Sequence, residues 1–91
     1  MDFTDVDLRI GTVTAAVLEG GALRLSVDVG AGVLEAVSHI TENYGPSDLE
    51  GTQVVVVTRG AQAVVLAAVS PSQGAVVLRP DRAVADGTQV V

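Results

Sequence analysis

Leu23, Leu25, Val27 and Val29 alternate with Arg24, Ser26 and Asp28, so an extended chain puts four aliphatic side chains on one face and three polar ones on the other. This period of two predicts a half-buried strand over 23–29. Upstream, Leu8 to Leu18 is rich in aliphatic and β-branched residues and is interrupted by Gly11, which inside a strand marks a bulge or bend. A long, curved first strand is expected there. Glu19-Gly20-Gly21 has the conformational freedom of a tight hairpin, so the first two strands should pair antiparallel. Gly30-Ala31-Gly32 signals a second hairpin, leading into a shorter third strand from Val33 to Val37.

Between Ser38 and Gly51 the period changes. Ile40, Tyr44 and Leu49 are spaced for helical turns, with Gly45-Pro46 interrupting them, which predicts two short helical pieces. Ser47 followed by Glu50 fits a capping box for the second piece, and Gly51 sits where a left-handed C-terminal residue belongs. Val54 to Val57 shows no alternation, as expected of a central strand covered on both faces. Val64 to Val69 and Ala75 to Leu78 are further aliphatic runs, divided by the turn-forming Ser70-Pro71-Ser72-Gln73-Gly74, and Thr88 to Val91 reads as a small closing strand. Three strands, a short helical insert and then more strands give an all-β Greek-key barrel of the OB type, with the insert between the third and fourth strands. Its expected core is Leu25, Val27, Val54 to Val57, Leu66 and Leu78. Residues 1–91 are read as a single domain.

Composition narrows the chemistry. The chain has 91 residues, 48% of them hydrophobic, and that share comes mainly from 19 Val, 12 Ala and 8 Leu; Phe3 and Tyr44 are the only aromatic residues. Aliphatic packing must carry the stability, and aromatic stacking platforms are nearly ruled out. Eleven Asp and Glu face five Arg and no Lys, and the net charge of −6 repels polyanions at long range. With one His and no Cys, no nucleophile, base and orienter set can be assembled, and no thiolate metal site exists. The chain is therefore read as a non-enzyme without metal or cofactor. His39 is placed at a pocket rim, Tyr44 in the core, and Asp7, Asp28 and Asp81 at turns and strand ends. Arg9 serves a structural ion pair or a dimer contact as readily as RNA. No apolar run approaches the roughly 20 residues needed to span a bilayer, and the acidic N-terminus is unlike a secretory signal. A cytoplasmic protein with no membrane partner is expected.

Several segments, taken in order, resemble the tRNA-binding domain family, in particular its small stand-alone CsaA-type secretion-chaperone branch. Phe3 to Val13 is similar to the family's Phe-x-x-Val-Asp-[Ile/Met]-Arg-x-Gly-x-[Ile/Val] opening. Leu23 to Gly30 resembles its Leu-Lys-Leu-x-[Val/Ile]-Asp-x-Gly strand, His39 to Tyr44 with Asp48 to Gly51 its helical insert, and Val77 to Val90 its Pro-Asp-containing close. The departures are in the loops. The family's long loop after the core strand, which supplies much of its RNA contact surface, is cut down to Thr58-Arg59-Gly60-Ala61-Gln62, and the first hairpin turn is clipped. What carries over as RNA-binding is Arg24, Ser38, Arg59 and Gln62. The resemblance implies a non-catalytic module for tRNA or structured RNA, its binding weak because few arginines meet a net charge of −6; the alternative is a CsaA-like chaperone for an unfolded or pre-secretory peptide, or a protein-interaction homodimer that has lost RNA binding. A homodimer is expected, because a chain 48% hydrophobic has more aliphatic surface than one small core can hide and stand-alone members of the family are dimers; the unpaired strand edges of a partly open barrel put Phe3, Val6 and Val90 at the interface.

Overall fold

Residues 7–39, 43–60 and 62–91 are described by the computed structural model of the chain. The first alternating segments form β1 (Leu8–Glu19), β2 (Ala22–Asp28) and β3 (Val33–Ser38), a meander of antiparallel neighbours. One helical turn, α1 (Pro46–Leu49), precedes β4 (Gln53–Arg59) and β5 (Gln62–Val65). The five strands close into a barrel in the order β1-β2-β3-β5-β4, with β3 and β5 parallel and β4 returning to β1. Outside it lies a hairpin of β6 (Ala67–Ser70) and β7 (Gly74–Val77). This is the all-β OB-type barrel that the segment order predicts, with its helical insert between the third and fourth strands.

The strand bulges, but not at the glycine. The β1–β2 register runs Val13↔Val27 and then Ala15↔Ser26, so Thr14 is the extra residue. The shift lets Val13 and Ala16 both point into the core although three positions separate them. Gly11 serves close packing instead: a Cβ there would lie 2.9 Å from the Asp28 carbonyl and 2.5 Å from Val27 Cγ1. The segment after α1 is hooked onto the bulged stretch of β1. Val13 N–H donates to Thr52 O (2.9 Å), Gly51 N–H donates to Val13 O (2.7 Å), and Ala16 N–H donates to the Glu50 carboxylate (3.2 Å). Leu49, fully buried, plugs that end of the barrel.

Several sequence expectations are corrected. The cap of α1 is Gly45 with Asp48, whose Oδ2 accepts the Gly45 N–H at 2.8 Å, because Pro46 lacks an N–H and suits the first helical position. Glu50 is thereby free for β1. Gly51 is left-handed as expected, with φ at 81°. The first helical piece falls largely on 40–42, outside the described residues. The run Val64 to Val69 breaks at Leu66, whose N–H donates to Val55 O and whose carbonyl accepts from Leu78 N–H, which carries the chain from barrel to hairpin. Leu78 contributes its backbone there and leaves its side chain 40% exposed, so it is not core, and Leu66 is half-buried. Val54 and Val56 are fully buried, whereas Val55 and Val57 are half-buried on the outer face of β4. Leu23 and Leu49, absent from the expected core, belong to its centre. Tyr44 packs against it and accepts the Val77 N–H at 3.0 Å.

At the C-terminus the expected strand is reduced to one bridge, Arg9↔Gln89, extended by Ile10 N–H to Thr88 O, Gly87 N–H to Ile10 O and Val90 N–H to Leu8 O. This segment crosses the β2–β3 turn at two glycines, Gly30 and Gly87, both with positive φ. A Cβ on Gly87 would collide with the Val29 carbonyl, and one on Gly30 would lie 2.5 Å from the Asp86 carbonyl. Gly20, also left-handed, has open space around it. Gly87→Ala should therefore destabilise by about 2–4 kcal/mol, since strain and backbone collision combine, and Gly20→Ala by only about 1 kcal/mol. Urea denaturation of both variants checks the ranking.

Candidate functional site

The strand registers place two parallel rows of side chains on the outer face of the barrel. Ala15, Ser26, Glu35, Gln62 and Arg59 are successive cross-strand partners, running over β1, β2, β3, β5 and β4. The adjacent row begins with the partners Val17, Arg24 and Val37, continues in register to Val64, and ends at Val57, the partner of Val64. Between them lies a groove of about 590 Å³, lined by Arg24, Glu35 and Gln62 among aliphatic side chains. Val17, Val37 and Val64 are 53%, 55% and 52% exposed there. One row is polar and its neighbour is almost wholly apolar.

Three of the residues expected to touch RNA share this face. Arg24 and Gln62 line the groove, and Arg59 stands opposite Gln62, where β4 turns into β5. Ser38 does not join them: it alternates with Val37 on β3 and is buried on the inner side, 7% exposed. Glu35 is the groove residue that the sequence reading missed. Its signal was its place in the alternation of Val33 to Val37, on the same face as the exposed Val37. The Arg24 guanidinium lies 3.9 Å from the Glu19 carboxylate, both well exposed, a contact that holds it only loosely. Among the described residues, no group of three or more His, Cys, Asp or Glu is placed to hold a metal ion. The face offers hydrogen bonds, the positive charges of Arg24 and Arg59, and apolar contact.

Arg9 is already occupied. Its Nε donates to Asp7 Oδ1 at 2.7 Å and its Nη1 to the Gly87 carbonyl at 3.1 Å, tying the start of β1 to the C-terminal segment. The second Asp7 oxygen accepts the Thr58 hydroxyl. That hydroxyl, followed by the Arg9 guanidinium, holds the Asp7 carboxyl below its ordinary range, because both stabilise the charged form. The structural reading of Arg9 and the strand-end reading of Asp7 fit this arrangement. Of the expected dimer-interface residues, Phe3 and Val6 lie outside the described residues. Val90 is half-buried, its N–H donating to Leu8 O of the same chain.

No family profile matches the chain. Among solved structures it is similar to the chaperone CsaA from Bacillus anthracis, with 37% identity and a TM-score of 0.87 over 99% of this chain and 94% of that one. The chain belongs to the tRNA-binding domain family. It stands with the CsaA-type branch of that family. A MetRS-related protein from Pyrococcus horikoshii superposes with a TM-score of 0.83 at 21% identity, a likeness of fold. The methionine–tRNA ligase of Acidithiobacillus ferrooxidans is 35% identical over 101 positions, covering 98% of this chain and 15% of the ligase. That of Salinibacter ruber is 43% identical over 63 positions. The chain thus spans about 15% of the length of the first of these ligases. The longer alignment exceeds this tRNA-binding domain's 91 residues by ten, so the ligase carries residues there that this member lacks.

The Asp7 cluster gives a pH dependence with a definite sign. Because the folded-state pKa is depressed, the stabilisation is fully present above the unfolded carboxylate pKa, near 4, and is lost as pH falls below it. Asp7→Asn should lower stability at neutral pH and flatten the stability loss below about pH 4, as read by thermal denaturation of both proteins across pH 2 to 7.

Proposed function

We propose that this chain is a non-catalytic binding module for tRNA or another structured RNA, acting through the two-row face of its barrel. The observation that carries this reading is the joint placement of Arg24, Gln62 and Arg59 on one face, in a chain of the tRNA-binding domain family. Methionine–tRNA ligases that contain a stretch similar to this chain are named for tRNA, which supports the choice of ligand. Binding is weak for a physical reason: two arginines supply the phosphate contacts, and a net charge of −6 opposes approach. At a single-strand scaling of roughly −0.7 per contact, two contacts give a log-log salt slope of about −1 to −2.

Fluorescence anisotropy with bulk tRNA at low salt tests this. Binding is expected at tens of micromolar. The double variant Arg24→Ala/Arg59→Ala should weaken it by about tenfold and flatten the salt slope toward zero. No binding by the wild type at that concentration would overturn the reading.

The apolar row favours a second reading, in which the face takes an unfolded or pre-secretory peptide. Val17, Val37 and Val64 would hold its aliphatic side chains, and Glu19 and Glu35 its basic ones. A peptide array enriched for basic, apolar segments would support it. We also read the protein as a homodimer, in which a mate would cover exposed aliphatic side chains such as Leu18, Val69 and Val91. With Val90 engaged by its own β1, the mate is better placed at other exposed aliphatics than at the C-terminal strand. Sedimentation equilibrium at tens of micromolar should give about twice the monomer mass, and a monomer would refute the dimer.

A further inference from the structure

The polar row has a centre that phosphate binding does not explain. Glu35 projects from the middle of the five-strand row, with Ser26 on one side and Gln62 on the other. Its only described hydrogen bond is a long one from the Ser26 hydroxyl, 3.4 Å, and among the described residues it makes no ion pair. An exposed carboxylate at the middle of an RNA face repels phosphates and accepts hydrogen bonds from donors. Gln62, its cross-strand partner about 5 Å away, brings an amide that can donate beside it.

An acceptor pair next to a donor is complementary to one base edge. The Watson–Crick edge of guanine presents two adjacent donors, N1–H and the N2 amino group, followed by the O6 acceptor. A carboxylate can take both donors through its two oxygens, while a neighbouring amide N–H reaches O6. Uracil places carbonyl oxygens on both sides of its single donor, against the carboxylate charge. The edge must be free, because pairing in a duplex consumes it, whereas unpaired bases in loops and ends leave it open. The valines beside the polar row would cover the face of the base, since no aromatic residue is among those that line the groove. The row spans four strand spacings, about 19 Å at 4.8 Å each, enough for a short single-stranded stretch laid across the strands.

We infer that Glu35 and Gln62 form a specificity pocket for an unpaired guanosine, and that the groove engages a single-stranded segment of its RNA rather than a duplex. This rests on the RNA-binding reading and adds to it the part of the RNA that is read. Arg24 and Arg59 hold phosphates; Glu35 and Gln62 select the base.

The test is a two-dimensional NMR titration at low salt, run with bulk tRNA and with RNA hexamers that are all uridine or carry one central guanosine or inosine. Inosine lacks only the N2 amino group. The guanosine hexamer should bind about tenfold more tightly than the uridine hexamer, shift the Gln62 side-chain amide, and lose most of that advantage when inosine replaces guanosine. Glu35→Gln should remove the preference while leaving uridine-hexamer affinity equal or higher, which separates base selection from loss of fold. If tRNA binds but guanosine, inosine and uridine hexamers bind alike, or if the preference survives Glu35→Gln, this inference fails and the RNA-binding reading stands. If neither tRNA nor any hexamer binds, or only a basic, apolar peptide shifts the groove resonances, both fail.

Discussion

One edge of one strand has to satisfy two different partners, and the barrel is arranged around that demand. From Thr12 onward β1 pairs with β2, while before it the same strand pairs with the C-terminal segment through Ile10, Thr88 and Val90. The edge is shared because β1 is long and the strands beside it are short. The bulge at Thr14 then re-aims the strand, bringing both Val13 and Ala16 to the core, and the loop after α1 takes up backbone groups along that stretch. β4 takes the opposite edge of the first half of β1, and β3 and β5 complete the barrel between β2 and β4. The C-terminal segment is held against the first half by Arg9, the two crossing glycines, and Asp86, whose carboxylate accepts the Thr12 hydroxyl at 2.6 Å.

Much of this was legible in the sequence, because alternation and glycine placement are local signals. The meander of β1 to β3 and the left-handed Gly51 could be read from neighbouring residues alone. What could not be read were features decided between distant segments. Gly11 looked like a bulge, but its partner Val27 uses the missing side chain as packing room, and the bulge fell to Thr14, a residue without a local mark. Leu78 looked like core because it is aliphatic in an aliphatic run. Its backbone is what the structure uses, pairing with Val55 and Leu66. Among the site residues, strand parity separated Ser38 from Arg24 and Gln62, and only the β3–β5 pairing joined Gln62 to Glu35.

The electrostatic balance of the face differs from that of a general polyanion binder. Of five arginines, Arg9 is committed to the closure of the barrel, and Arg24 and Arg59 stand on the two-row face. On the proposed RNA-binding reading, so little positive charge leaves discrimination to directional hydrogen bonds and shape, which fade less with salt than phosphate contacts do.

Between β4 and β5 only Gly60 and Ala61 remain, and Arg59 faces Gln62 directly across that turn. A binding face built on so short a connection, as proposed, would have almost no segment to fold when a partner arrives. Long loops gain contact area but must surrender conformational freedom on binding, roughly 1–2 kcal/mol of backbone entropy per residue fixed. A face of paired strands gives up little, so its complexes can form and dissolve quickly with small loss in either direction. Used as proposed, a barrel with so short a turn would suit brief repeated encounters rather than long-lived capture.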